Sequence, residues 1–192
     1  MPRVIDTDER SRLVAEAAWR VLVRDGIPAL SVRKVAAEAG LPPSSLRYTF
    51  PTQDSLRIRA YELVAERLAS RVAAIGPGGG WARSTLLELL PLDETRRLEM
   101  EIAVALGTAA MTDEALFATH RRVHQTLKDI CGQVVRSLGT APQKVEAETQ
   151  RLHALVDGLA LHLIRQDRGE DTGWAVRVLD SHLAQLAPAP RQ

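Results

Sequence analysis

Apolar residues recur every three or four positions along nearly the whole chain, and no stretch alternates at the period of two that a half-buried strand needs. The first stripe is Val14, Ala17, Ala18, Val21 and Leu22, one face of a helix that Asp6 or Thr7 can cap and whose first turn holds Glu9. Gly26 should stop that helix, because glycine enters the left-handed conformation freely. Ser31 then opens a short second helix with Val32, Val35, Ala36 and Ala39 on its apolar face, and Gly40 closes it. Pro43 suits the first position of a third short helix, which Pro51 ends. Thr52 caps a long fourth helix with Asp54 in its first turn, and its apolar positions Leu56, Ala60, Leu63, Val64, Leu68 and Val72 run on toward Ile75.

The run Gly76-Pro77-Gly78-Gly79-Gly80 is the clearest break. Five helical segments follow it, near residues 81–90, 93–111, 113–138, 142–166 and 171–186, before a tail holding Pro188 and Pro190. The pattern predicts an all-α chain of about nine helices without an internal repeat. Its first part would be a three-helix unit and its second a helical bundle.

Residues 31–56, SVRKVAAEAGLPPSSLRYTFPTQDSL, carry the most information. Two short helices joined by a tight turn at Gly40 make a helix-turn-helix. Ala36 and Ala39 are small enough for the helices to cross closely, and Leu41 and Leu46 supply an apolar plug. Pro42, Pro43, Ser44, Ser45, Arg47, Tyr48 and Thr49 are left pointing outward. Core packing does not ask for that polar surface; a DNA major groove would use it for base edges and phosphates.

At 192 residues the chain can bury a substantial core. A formal net charge of +1 argues against a general nucleic-acid coat protein, but residues 1–75 hold 12 Lys+Arg against 9 Asp+Glu, which permits phosphate contact there. No apolar run is long enough for a membrane span, and residues 1–12 are too polar for a secretory signal. The lone Cys131 excludes an internal disulfide framework and suits a reducing cytoplasm; lying between Ile130 and Gly132, it reads as a core residue rather than a redox sensor. A nucleophile elbow, a phosphate loop and a supported carboxylate pair are all missing, so an enzyme is disfavoured.

Ser31, Val32, Arg33, Val35, Ala36, Ala39 and Gly40, followed by Leu46, Phe50, Pro51, Thr52 and Leu56, resemble the DNA-binding domain of TetR-family regulators, and Ala17, Ala18, Leu22 and Gly26 fit the family's first helix. The resemblance implies a DNA-binding domain at 1–51 and a regulatory domain at 52–192, with 52–75 as the connecting helix. It implies that Arg33 and Gln53 meet phosphate, that Ser44, Ser45, Arg47, Tyr48 and Thr49 enter the groove of a double-stranded operator, and that Lys34 is a further DNA-binding candidate. Three positions depart from the family pattern: Arg47 stands where a phosphate-binding Tyr is common, Pro42 replaces the polar cap of the third helix, and Gln53 replaces a Lys. Arginine at 47 can pair with guanine, which would change that position from anchoring to reading.

Residues 89–116 and 152–164 resemble BetI-like regulatory domains of the same family. That likeness implies a homodimer through the last two helices. Leu152, Val156, Leu159 and Leu163 form the main apolar stripe there, Leu155, Gly158 and Leu161 a weaker one, and Trp174, Val178, Leu179, Leu183 and Leu186 a matching set on the final helix. A pocket for an unknown small-molecule effector would draw on Tyr61, Arg97, Glu101, His120, His124, His153 and Asp157. His120 and His124 stand at metal-compatible spacing, but nothing in the sequence completes a tetrahedral set, so neither a metal nor a cofactor is expected. The expected function is a cytoplasmic repressor released from its operator by a ligand. A dimeric helical adaptor or small-molecule-binding protein without DNA binding is the alternative.

Overall fold

A computed structural model describes residues 7–186; the side chains of residues 7–11 and of Tyr48 lie outside what is described, as do Asp6 and the tail with Pro188 and Pro190. Nine α-helices account for the described fold: α1 (Thr7–Asp25), α2 (Val32–Ala39), α3 (Pro43–Thr49), α4 (Gln53–Ala73), α5 (Trp81–Glu88), α6 (Glu94–Ala110), α7 (Glu114–Ser137), α8 (Val145–Arg165) and α9 (Gly173–Leu186). Short 3₁₀ turns at Ile27–Ala29 and Pro142–Lys144 precede α2 and α8. No strand occurs among the described residues. None of the helices is long and apolar enough to cross a membrane.

The local stop and start signals act as their chemistry requires. Gly26 and Gly40 take φ of +77° and +66°, the left-handed region that closes α1 and α2. The Ser31 hydroxyl accepts from the Lys34 amide at 3.3 Å, capping α2. Thr52 and Ser55 cap each other at the head of α4: the Ser55 amide donates to Thr52 Oγ1 at 3.1 Å and the Thr52 amide to Ser55 Oγ at 3.3 Å. Helix α3 has no side-chain cap, since Pro42 offers no acceptor.

Among the described residues two compact units emerge, one of residues 7–66 and 102–120, the other of 67–101 and 121–186. Helices α4, α6 and α7 each contribute a segment to both. The boundary expected at residue 51 therefore falls inside the first unit, because the start of α4 buries Leu56 and Ala60 fully there. In that unit α1 packs on α2 and α2 on α3, and Ala17, Val21, Val35, Ala36 and Leu46 are at most 1 % exposed. In the second unit α8 packs on α9 and α5 on α9, around a core of Leu86, Leu90, Val134, Leu152, Leu163 and Leu179.

That second core corrects an expectation. Leu152, Val156, Leu159 and Leu163, read as a subunit interface, are covered by their own chain at 0, 4, 5 and 1 % exposure. Together with α5, α7 and α9 the bundle uses the whole main stripe of α8, so none of it is left for a partner. Trp174 and Leu183 are half-buried and Val178 is 41 % exposed, so the outer part of α9 keeps apolar surface.

Candidate DNA interface and regulatory site

Helix α3 has two unlike sides. Leu46 and Phe50, one turn apart, point inward at 1 and 6 % exposure. Pro43, Ser44 and Arg47, spaced three and four residues apart, stand on the opposite side and are exposed, as is Thr49; Ser45 is half-buried. Leu41, expected to share the plug with Leu46, is only half-buried. Arg33 is exposed on the outer side of α2. Lys34 is exposed too, but its ammonium lies 3.4 Å from Asp25. Gln53 departs from its expected role in part: its amide donates to the Leu30 carbonyl at 3.1 Å, tying the head of α4 to the loop before α2 and leaving one amide hydrogen for another acceptor. Tyr48 belongs to α3, but its side chain is outside the described residues.

An ion-pair clamp that the hydrophobic pattern did not announce bridges α2 and α1. Glu38 of α2 accepts from Arg20 at 2.7 Å and from Arg24 at 2.8 Å, both on α1. The hydrogen bond from Arg20, followed by that from Arg24, holds the Glu38 carboxyl below its ordinary range. Asp25 is lowered as well, first by its hydrogen bond from Arg24. The clamp orders three basic side chains beside the helix-turn-helix and neutralises part of their charge.

The residues expected to line an effector pocket fall into three groups. In the first unit the Tyr61 hydroxyl lies 3.0 Å from His120 Nδ1, with Tyr61 buried and His120 half-buried. Gly107 of α6 sits against this pair, where a Cβ would stand 3.3 Å from both polar atoms. A Cβ there would be tighter than most, so the pair would have to give by a few tenths of an ångström to admit one.

In the second unit Arg97 is committed to structure. Its guanidinium donates to the carbonyls of Leu163, Ile164 and Gln166 at 3.2, 2.8 and 2.6 Å, closing the C-terminal end of α8. Glu101 pairs with Arg97 at 3.1 Å and with Arg168 at 3.3 Å. These two residues therefore staple a helix end.

The third group is His124, His153 and Asp157. The rings of His124 and His153 lie with centroids 4.6 Å apart, and His153 Nε2 lies 3.6 Å from Asp157 Oδ2. Burial, above all, pushes the His153 imidazole below its ordinary value, and Asp157 opposes the shift. His120 and His124, adjacent in helical spacing, thus engage different partners. Cys131 is fully buried, and burial pushes its thiol up to about 12, which keeps it protonated and unreactive.

The most buried charge in the second unit was not foreseen. Glu99 is 3 % exposed and is held by Arg67 at 2.9 Å and Arg71 at 2.7 Å. Its partners are two arginines one turn apart on α4, a helix that carries other charged residues as well, so the sequence alone did not single them out.

Comparison with known proteins gives this geometry its context. Residues 14–60 match the model of bacterial regulatory proteins of the tetR family, and residues 78–188 match the C-terminal domain of BetI-type transcriptional repressors. The HTH-type transcriptional regulator PksA of Bacillus subtilis (strain 168) is 33% identical over 194 residues, covering 97% of this chain and 94% of that protein. A transcriptional regulator of Rhodococcus sp. Rha1 superposes with a TM-score of 0.78 at 27% identity, covering 92% of this chain and 95% of the other. The multidrug binding protein EbrR, solved with imidazole, superposes with a TM-score of 0.68 at 29% identity, covering 96% and 98%. With a helix-turn-helix whose reading helix is polar outside and pinned by Leu46 inside, and with matches spanning both parts of the sequence, the chain belongs to the TetR family of transcriptional regulators, with a BetI-type C-terminal domain.

Proposed function

We propose that the chain represses transcription as a homodimer, placing α3 of each protomer in the major groove of an operator half-site. The observation that carries this is the division of α3: Leu46 and Phe50 buried beneath, Ser44, Arg47 and Thr49 exposed above. Arg47 would pair with a base edge, Ser44, Ser45, Tyr48 and Thr49 would complete the groove surface, and Arg33, Lys34 and the remaining donor of Gln53 would anchor phosphates. Residues 1–51 then form the DNA-binding part and 52–192 the regulatory part, acting together in the cytoplasm.

Dimerisation would use the outer side of α8 and α9. Leu155, Gly158 and Leu161 remain half-buried there, beside Trp174, Val178 and Leu183. A Cβ at Gly158 would meet nothing within 4 Å, so the chain's own packing does not require glycine at this point, whereas close approach by a second helix would. Two-fold symmetry of the dimer would match an inverted repeat in the operator.

The relatives also support release by a small molecule. EbrR, a multidrug binding protein, has been solved with imidazole, ethidium and malachite green. In this chain the Tyr61–His120 pair beside Gly107 would serve as a polar anchor for such a ligand. A ligand that binds one conformation better would shift the population away from DNA, and α4, continuous from the DNA-binding part into the bundle, would transmit the shift.

The test is gel-shift titration on the inverted repeat nearest the gene, at two or more salt concentrations. Arg47→Ala should weaken binding by about 1–3 kcal/mol and relax preference at one base position. Arg33→Ala should weaken all sequences alike and lower the salt slope by about one ion. Unchanged affinity in both variants would remove this reading of the interface.

A further inference from the structure

We propose that His124, His153 and Asp157 form a binding site for one divalent transition-metal cation of the zinc class. The three side chains come from two packed elements of the second unit: His124 from α7, and His153 and Asp157 one turn apart on α8. One ligand atom from each lies within 4.8 Å of the other two. Bonds of about 2.0–2.1 Å at tetrahedral angles place donor atoms roughly 3.3 Å apart, so the set is already within about 1.5 Å of a coordinating geometry. The 3.6 Å between His153 Nε2 and Asp157 Oδ2 is close to that spacing, and it is too long for a hydrogen bond.

The second observation is the state of His153 itself. Its side chain is 8 % exposed, and its Nε2 is fully buried with no hydrogen-bond partner among the described residues. A buried ring nitrogen left this way is unfavourable unless something takes its lone pair. A cation between His153, Asp157 and His124 would satisfy it and would also hold the two imidazoles at their observed separation. Lys128, the nearby cation acting on His153, is itself held by Glu146 at 2.9 Å.

Two imidazoles and one carboxylate select a borderline cation such as Zn²⁺ over Mg²⁺ or Ca²⁺, which prefer oxygen shells. Cys131, seven residues along α7 from His124, is fully buried and is not part of the cluster. Three protein ligands leave an open fourth position for water or an added group, and the exposure of His124 and the half-exposed Asp157 carboxylate give the cation a way in.

The experiment uses the full chain without any affinity tag, freed of metal by chelation. Zn²⁺ is titrated against a chromogenic chelator, and Co²⁺ by its visible ligand-field absorption. The expected result is one tight equivalent per chain, a tetrahedral or five-coordinate Co²⁺ spectrum, and a rise in unfolding temperature with Zn²⁺ but not Mg²⁺. His124→Ala and Asp157→Asn change side chains that reach solvent, so both should fold; each should lose at least about tenfold in affinity together with the thermal shift. His162→Ala, outside the cluster, should bind as the parent does. Absence of a stoichiometric Zn²⁺ equivalent in the parent, or equal affinity in the His124 and Asp157 variants, would overturn the proposal.

Discussion

Arg71 of α4 reaches the buried carboxylate of Glu99 on α6 at 2.7 Å, while Arg67, one turn earlier, holds the other oxygen at 2.9 Å. The three charges are unequally covered: Glu99 keeps 4 % of its side chain exposed, Arg71 30 % and Arg67 39 %. An ion pair so arranged is sensitive to which partner is removed, because only the carboxylate has no water to return to.

The expected outcome is therefore asymmetric. Arg71→Ala leaves Glu99 buried with one cation and should cost about 2 kcal/mol, below the usual range for a wholly buried pair because both arginines are partly solvated. Glu99→Gln keeps a hydrogen-bond acceptor, and the arginines rehydrate, so its cost should be below about 1 kcal/mol. Urea denaturation of the two variants checks the order; equal losses would mean the carboxylate is not the sensitive member.

Arg97 should behave as a structural residue. It closes the end of α8 through three carbonyls and its side chain is 13 % exposed. Removing a charged donor from three carbonyls, of which Leu163 keeps the Gln166 amide, should cost about 2 kcal/mol, and Arg97→Lys should restore little, since one ammonium cannot reproduce the fork. Thermal unfolding measures both. A stable Arg97→Ala chain with altered effector response would return Arg97 to the pocket.

The closeness of Gly107 to Tyr61 and His120 gives a coupling test. Gly107→Ala gains helix propensity of about 1 kcal/mol but places its Cβ 3.3 Å from both Tyr61 Oη and His120 Nδ1. The variant should be neutral to mildly destabilised in the parent and stabilised in a Tyr61→Phe background, where one obstruction is gone. A double-mutant cycle with additive effects would show that the pair yields freely and holds no fixed geometry.

How far the sequence could be read follows from these residues. Helix starts and stops were legible because Ser31, Thr52, Gly26 and Gly40 act within one turn of themselves. The helix-turn-helix was legible because its two short helices and their plug occupy consecutive residues. Side-chain partners between distant helices were not. Periodicity showed that α8 is apolar on more than one side, but it could not say that α5, α7 and α9 would cover the Leu152–Leu163 stripe and leave Gly158 outside. The i, i+4 pair His120 and His124 drew attention along α7, whereas His124 meets His153 and Asp157 across to α8, a relation fixed by packing register alone. Glu99 looked like any helical glutamate until Arg67 and Arg71 were brought over it.

The outer side of α8 supplies a prediction about assembly. Gly158→Trp would project into open space in a lone protomer, so the fold should survive, while a helix docking there would be pushed away. Sedimentation should show a dimer for the parent and a monomer for the variant, with operator affinity falling as the two reading helices lose their fixed spacing. A dimer that persists with Gly158→Trp would move the interface elsewhere.

The Glu38 clamp makes the DNA-binding unit sensitive to acid in a defined direction. Hydrogen bonds from Arg20 and Arg24 lower the carboxyl of Glu38 in the folded chain relative to the unfolded one. A depressed acid contributes stability above its unfolded value, and the contribution disappears as pH falls through the folded one. Glu38→Gln should therefore have a lower urea midpoint than the parent at pH 7, and the gap should close as the pH is taken below the ordinary glutamate range. Asp25 and Asp180 are lowered too, so both proteins will weaken in acid; the difference between them isolates the clamp. A gap that stays constant from pH 7 to pH 3 would mean Glu38 acts through packing on α1, and that its charge does not hold α2 to α1.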